Sequence, residues 1–383
     1  MKLNKRNWPK KEFGQFVFNI SERVEPGNTS LEKYIGLEHL DAGKIKIERF
    51  GKPEDVIGTK LKIYKGDIIF GKRRAYLRKA AVADFDGICS AHSMVLRANE
   101  KEILKDFLPN FLHSDIFMNR AVEISEGSLS PTIKWKTLAK QEFLLPPLEE
   151  QHRIAELFQS IEQSITQAEE QERKLKSLQK SLSNGLVDNP PVFGNLLTAK
   201  NCKPCSVGDI SDCIEQHDKK PLENGITRFI GLENIEPENF NLQGFGNIKD
   251  GTTFTKRFSK GDVLFGKRRP YLKKVAVADF DGICSGDILV FRAKENKMLP
   301  EFLPYYVSSE AFIKQAVSTS AGSLSPRTKW RDLAVFEIFV PDIKTQEKIV
   351  DIFIQLNDSL KLITRQKSTL KNLKQKLLNE ILG

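Results

Sequence analysis

Two stretches of this chain repeat apolar residues by threes and fours. In the first these are Ile154, Phe158, Ile161, Ile165, Ala168, Leu175, Leu178 and Leu182; in the second, Ile349, Phe353, Leu356, Leu360, Ile363, Leu370, Leu373 and Leu377. That period predicts one apolar seam along a helix. No proline interrupts either stretch, so each is expected to run roughly 35 residues, about 50 Å at 1.5 Å per residue. Elsewhere the pattern changes to short apolar runs bounded by Gly and Asp, such as Asp67-Ile-Ile-Phe and Asp262-Val-Leu-Phe. Runs of that kind predict strands and turns. Short helices are expected around 107–122 and 302–317, which makes these regions mixed α/β domains.

The pattern is written twice. Residues 65–90 read KGDIIFGKRRAYLRKAAVADFDGICS and residues 260–285 read KGDVLFGKRRPYLKKVAVADFDGICS, with 21 of 26 positions identical at a shift of 195. The same shift carries Ile35-Gly-Leu-Glu onto Ile230, Gly127-Ser-Leu-Ser-Pro onto Gly322, Lys134-Trp onto Lys329 and Gln151 onto Gln346. The expected organisation is a first domain over 1–147, a first long helix over 148–185 and a linker over 186–195. A second domain over 196–341 and a second long helix over 342–383 follow. Each seam needs cover, and the other copy's seam supplies it. The charges agree: residues 149–180 hold seven acidic and five basic side chains, residues 344–380 four and eight. The fold class expected is therefore α/β (α+β): two repeated domains separated by two long antiparallel helices in a coiled coil, pseudo-two-fold symmetric. Such an object suits a pseudo-symmetric partner such as duplex DNA.

Composition narrows the classes. The net charge is +10 with pI near 9.2, which favours nucleic acid or another anionic surface. No apolar signal core follows the basic start and no run approaches the length of a membrane span; a cytoplasmic location without membrane association is expected. Five cysteines give no disulfide framework. Cys202, Cys205, Cys213 and His217 have zinc-ligand spacing, but the first copy has Asn7, Lys10, Phe18 and Glu22 there, and core packing is the preferred reading.

Several motifs resemble catalytic or cofactor sites and fail on inspection. Gly66-x4-Gly71-Lys72 and Gly261-x4-Gly266-Lys267 have P-loop spacing, but Arg73 and Arg268 replace the hydroxyl that would hold magnesium. Asn189-Pro-Pro-Val-Phe puts valine where a base-gripping motif needs an aromatic ring. No histidine recurs between the copies, and no acidic nuclease cluster is present. A binding protein without catalytic residues, metal or cofactor is expected.

The recognition candidates are the repeated basic segments. Lys72, Arg73, Arg74, Arg78 and Lys79 fall within eight residues, accompanied by Tyr76, and Lys267, Arg268, Arg269, Lys273 and Lys274 recur with Tyr271. Strand alternation cannot bury so many cations, so a turn should project them toward phosphates and base edges. Ser128, Ser130, Ser323 and Ser325 lie in loops where serine precedes proline. That order predicts a helix cap and first turn leading to Trp135 or Trp330, with free amides for a phosphate. Between the copies, residues 38–64 and 233–259 have diverged almost completely, Lys44, Lys46, Glu48 and Arg49 facing Asn239, Asn241, Gln243 and Gly244. Base readers are expected there, because shared residues can give only shared contacts.

The order of basic turn, Gly-Ser-x-x-Pro loop, Pro146-Pro-Leu-Glu-Glu-Gln-x-Arg-Ile, long helix, and the same series again resembles the specificity subunit of Type I restriction-modification enzymes over the whole chain. The loops depart from it, having Ser130 and Ser325 where Gln is more usual, and the second helix start, Pro341-Asp-Ile-Lys-Thr-Gln-Glu, is degenerate. The resemblance implies a non-catalytic subunit whose two domains each read half of a bipartite double-stranded DNA site. It also implies two bound methyltransferase (modification) subunits, joined by restriction subunits. Two alternatives are a DNA methyltransferase with its own specificity, which cofactor binding would reveal, and an architectural protein binding DNA without sequence preference, which footprinting would separate.

Overall fold

The structure, a computed structural model, describes residues 5–197 and 201–383. In the first domain the strands Val17–Ile20, Ser93–Ala98, Ile68–Gly71 and Ala80–Val82 form an antiparallel sheet in that order. A second sheet runs Arg23–Val24, Lys60–Ile63, Gly87–Cys89, Tyr34–Ile35, its last pair parallel. The repeat rebuilds the first sheet, and in the second it leaves only an isolated bridge, His217 to Lys256, where the first copy pairs Arg23–Val24. In the second domain the strand Arg228–Ile230 gains an edge partner, Gly246–Asn247, drawn from the diverged segment.

Side-chain alternation along these short strands fills two cores in the first domain and, with a small cluster of Ile226, Ile248 and Ile283, three in the second. In the first domain one holds Phe13, Phe16, Phe70, Phe111 and Phe117, the other Ile35, Ile63, Ile69 and Val95. The repeated Lys-Gly-Asp is a turn. Gly66 takes φ +96°, and the buried Asp67 carboxylate accepts two bonds from the Arg97 guanidinium at 2.7 and 2.9 Å. Asp262 and Arg292 repeat the pair. The short helices run Leu108–His113 and Asp115–Glu123, then Leu303–Val307 and Glu310–Ser318, the longer member of each pair capped by Ser114 or Ser309.

The long helices span Leu148–Gly185 and Ile343–Leu382. The chain divides into two compact units, Met1–Glu169 with Arg365–Gly383, and Glu170–Thr364, so each unit contains part of both helices. In the first unit Ile154, Phe158, Ile161 and Ile165 share a core with Leu378, Ile381, Leu382 and the domain's own Phe107. There Glu162 pairs with Lys374 and Glu169 with Lys371, an antiparallel register. In the second unit Gln179 donates to Asn357 at 2.8 Å, and Ile349 and Phe353 pack in that domain's core with Leu182 against it. The helices therefore cover each other and, at their N-terminal turns, their own domains.

The seam departs from expectation at two positions. Leu178 is 48% exposed and Leu373 43%, while Glu172, Lys374 and Leu378 are buried. The expected series steps 370, 373, 377, a spacing of 3.5. Burial instead follows Leu370, Lys374, Leu378 and Ile381, close to the 3.6 of a straight helix, and this turns Leu373 off the seam. In the first helix Gln179 takes the place expected of Leu178. Leu356 is buried, and Leu175, Leu182, Leu360, Leu370 and Leu377 are half-buried.

The segment after Gly185 is packed on the domain. Leu186 and Phe193 are buried, and Phe193 meets the Phe353 ring edge-on at 5.6 Å.

Candidate nucleic-acid interface

The basic segment leaves the strand Ile68–Gly71 and makes one 3-10 turn, Ala75–Leu77, between two residues in the left-handed region, Arg74 at φ +57° and Arg78 at +52°. Arg269 at +53° and Lys273 at +51° repeat this. A left-handed side chain costs about 1–2 kcal/mol, and backbone bonds hold it in place. Gly71 N–H donates to the Lys79 carbonyl at 2.9 Å, and Arg74 N–H to that of Pro131 at 2.7 Å. Pro131 lies in the Gly-Ser-Leu-Ser-Pro loop, so turn and loop form one rigid surface.

That loop is not the helix cap expected from its sequence. Glu126 and Thr132 exchange backbone hydrogen bonds at 2.9 and 3.0 Å around Gly127, at φ +109°, and close the loop on itself. The following helix starts at Trp135 with Lys134 as N-cap, and the second copy behaves alike from Trp330. Ser130 instead accepts from the Arg73 guanidinium at 3.1 Å, and Ser325 from Arg268 at 3.0 Å. Ser128 and Ser323 are exposed beside the loop tips, Leu129 and Leu324, which are 91% and 87% exposed.

The cations divide by partner. Lys79 donates to the Leu37 carbonyl and Lys274 to that of Leu232, both at 2.6 Å. Arg78 pairs with Asp115, which also accepts from Gln375 and Asn379 on the second long helix. Lys273 pairs with Glu310, which Lys180 of the first long helix also reaches. Arg78, Lys79, Lys273 and Lys274 are half-buried and are held by these partners within their own domains. Arg74, Tyr76, Arg269 and Tyr271 are the exposed members, while Lys72, Arg73, Lys267 and Arg268 are half-buried. Arg268 faces Asp287 at 3.5 Å, where the first copy has His92 beside Arg73.

The diverged segments lie against this surface. Val82 N–H donates to the Ile45 carbonyl and Val277 N–H to that of Phe240, both at 2.8 Å, so residues on either side run along the strand leaving the basic turn. Lys46 and Arg49 are exposed in the first domain, Asn241 and Gln243 in the second.

Gln151 is a residue whose role the sequence left unread. Fully buried, it donates to the carbonyls of Pro146 and Glu102 at 2.8 and 3.0 Å and accepts from Leu104 N–H at 2.8 Å. Gln346 makes the same three bonds. Its exact repetition at a helix start was the available signal. Cys202, Cys205, Cys213 and His217 do not gather: among the described residues no cluster of three or more His, Cys, Asp or Glu side chains is arranged to hold a metal. The buried Cys89 and Cys284 thiols are pushed up to about 12 by burial, as core thiols are. No described helix is long and apolar enough to cross a membrane.

The chain has relatives in sequence and in fold. The family described as Type I restriction modification DNA specificity domain matches residues 17–176 and again 207–372, and the chain belongs to that family. It is 28% identical over 166 residues to the Type I restriction enzyme EcoDI specificity subunit of Escherichia coli, covering 42% of this chain and 37% of that relative. Against the putative MjaX specificity subunit of Methanocaldococcus jannaschii it is 23% identical over 380 residues, 90% of this chain and 85% of the other. The fold matches a solved chain of a type I R-M system with TM-score 0.61 at 21% identity, covering 99% and 98% of the two chains. The chain thus spans well under half the length of the first of these relatives and most of the second.

Proposed function

We propose that this chain is the DNA-reading, non-catalytic subunit of a type I restriction-modification assembly, each domain recognising one half of a bipartite double-stranded site. The observation that carries the reading is the juxtaposition, made twice, of a shared basic turn and a diverged edge segment bonded to the strand beside it. The shared part supplies sequence-independent phosphate contacts through Arg74, Tyr76, Arg269, Tyr271 and the half-buried arginines behind them, and the diverged part discriminates bases. The helix pair sets the distance between half-sites and, with the domain surfaces, docks two methyltransferase subunits that supply adenine modification. Restriction subunits complete the nuclease. The protein then works in the cytoplasm, where its DNA is.

The test is co-expression with a methyltransferase partner followed by mapping of modified adenines across the host genome. The expected outcome is one motif in two parts with a spacer of constant length. An uninterrupted motif, or modification without sequence preference, overturns the reading.

A further inference from the structure

Beside the basic turn of the first domain lies a cavity of about 560 Å³. Four cations, Arg23, Lys60, Lys72 and Lys134, lie in its lining, and no carboxylate does. Two of them are already committed: Lys60 to the carbonyls of Ile57 and Gly58, Lys134 to Glu126. The Arg23 and Lys72 side chains have no hydrogen-bond or ion-pair partner among the described residues. Burial, with the Arg23 charge acting the same way, pushes the Lys72 amine below its ordinary range. His92 is pushed down too, by burial and then by Arg73, Lys72 and Lys60. In the same wall Ser93, 1% exposed, has a hydroxyl with no hydrogen-bond partner. An unpartnered hydroxyl and two unpaired cations in one wall are left wanting an anion.

The second domain serves as an internal comparison. The strand pairings set the match, Ile20 opposite Val95 and Ile214 beside Val290, Arg23 opposite Leu61 and His217 opposite Lys256; Ser21 thus becomes Glu215, Arg23 becomes His217, His92 becomes Asp287 and Ser93 becomes Ile288. Glu215 pairs with Lys256 at 2.8 Å and lies in the field of Lys267, and Asp287 pairs with Arg268 and Arg327. The duplicated scaffold is thus neutralised in one copy and left cationic in the other.

We propose that the first domain's cavity binds a nucleoside phosphate, its phosphate held by Lys72, Arg23 and the Ser93 hydroxyl and its base against the wall made by Trp135 and Met94. A phosphate alone would leave most of 560 Å³ empty, and the indole supplies a face on which any base stacks. The nucleotide comes either from a DNA strand or free from solution. This goes beyond the reading of the chain as a DNA-recognition subunit, and only the strand source rests on that reading.

The experiment plants the second domain's acid in the first. Ser21→Glu sets a carboxylate in the cavity lining at a position where the second copy already folds with one, Glu215, and Arg23→Asp, a charge reversal in the same lining, serves if that variant is unstable. The full chain is titrated calorimetrically with dAMP, with deoxyadenosine as the uncharged control. Separately, DNA affinity of the assembled complex is measured against salt. Saturable dAMP binding by the parent, weakened about tenfold or more in Ser21→Glu, with an unchanged salt slope for DNA, assigns the pocket to a free nucleotide. A salt slope shallower by about one unit in the variant assigns it to a strand. If the parent binds dAMP no better than deoxyadenosine and the variant leaves the salt slope unchanged, the proposal falls. Should the complex not bind DNA at all, the proposed function fails while the dAMP titration still decides the pocket.

Discussion

Arg73, Arg74 and Lys79 lie within one short turn yet are put to different uses, and the difference follows from partners rather than from residue type. Replacing Lys72, Arg73 and Arg74 by Ala should weaken DNA binding and make its log–log salt dependence shallower by roughly one unit for each phosphate that is no longer neutralised. An unchanged slope would remove these residues from the interface. Lys79→Ala should leave the slope alone and lower thermal stability, because its amine is bonded to the Leu37 carbonyl. From the sequence the five cations looked equivalent. Chain direction in a left-handed turn sorts them, and no periodicity encodes that. His113 is another such residue. Fully enclosed and bonded to the Ala80 carbonyl at 2.8 Å, it is pushed down to about 4, chiefly by burial and then by Lys374. The unfolded chain takes up this proton near 6.5 and the folded chain near 4. Stability should therefore drop as the pH is lowered across that window, by up to about 3 kcal/mol from this group. His113→Gln should remove that portion of the pH dependence in thermal melts. Parallel curves for parent and variant would show that the ring titrates normally.

At the scale of elements, the long helices were readable because no proline and a sustained apolar period leave few alternatives. Their exact seam was not, since a spacing of 3.5 and one of 3.6 differ by only about 20° per heptad and leucine lies on both sides of the division. The start of each helix is fixed by Gln151 or Gln346 rather than by the seam. Gln151→Ala takes the side-chain partner from the buried Pro146 carbonyl and from the part-buried Glu102 carbonyl and Leu104 N–H, and should cost about 3 kcal/mol in chemical denaturation. Gln346→Ala should cost about the same. A loss below about 1 kcal/mol in either would mean that water replaces the side chain. If the helix pair sets the separation of half-sites, adding seven residues to both helices lengthens it by about 10 Å, or about three base pairs. Methylation mapping should then return a spacer longer by about three. Retention of the original spacing would show that the helices do not measure it.

For the whole molecule, duplication is what the sequence displayed most plainly, and its functional consequence lies in where the copies differ. The basic turns, their loops and the glutamine clips agree, so whatever the two domains bind, these parts can give it only common contacts. The segments 38–64 and 233–259 differ in charge, in hydrogen bonding and in fold. Lys44 and Arg49 are tied to Glu48 and Asp41 in the first domain. In the second, Asn239, Asn241 and Gln243 bond among themselves, and an extra strand pair forms. Both segments are joined to the strand that leaves the basic turn, at Ile45 and Phe240, which makes them exchangeable pieces on a common frame. Replacing residues 38–64 by 233–259 should therefore give both domains the same reader. If the two domains meet DNA as a two-fold pair, identical readers face opposite strands, and the modified site should become an interrupted palindrome built from the second half-site. If the proposed function holds, modified-adenine sequencing of a host expressing the swapped chain with a methyltransferase partner reads this directly. Two unrelated half-sites in that map would place the discrimination elsewhere in the domains, most directly on the exposed Leu129 and Leu324 loops and the side chains around them.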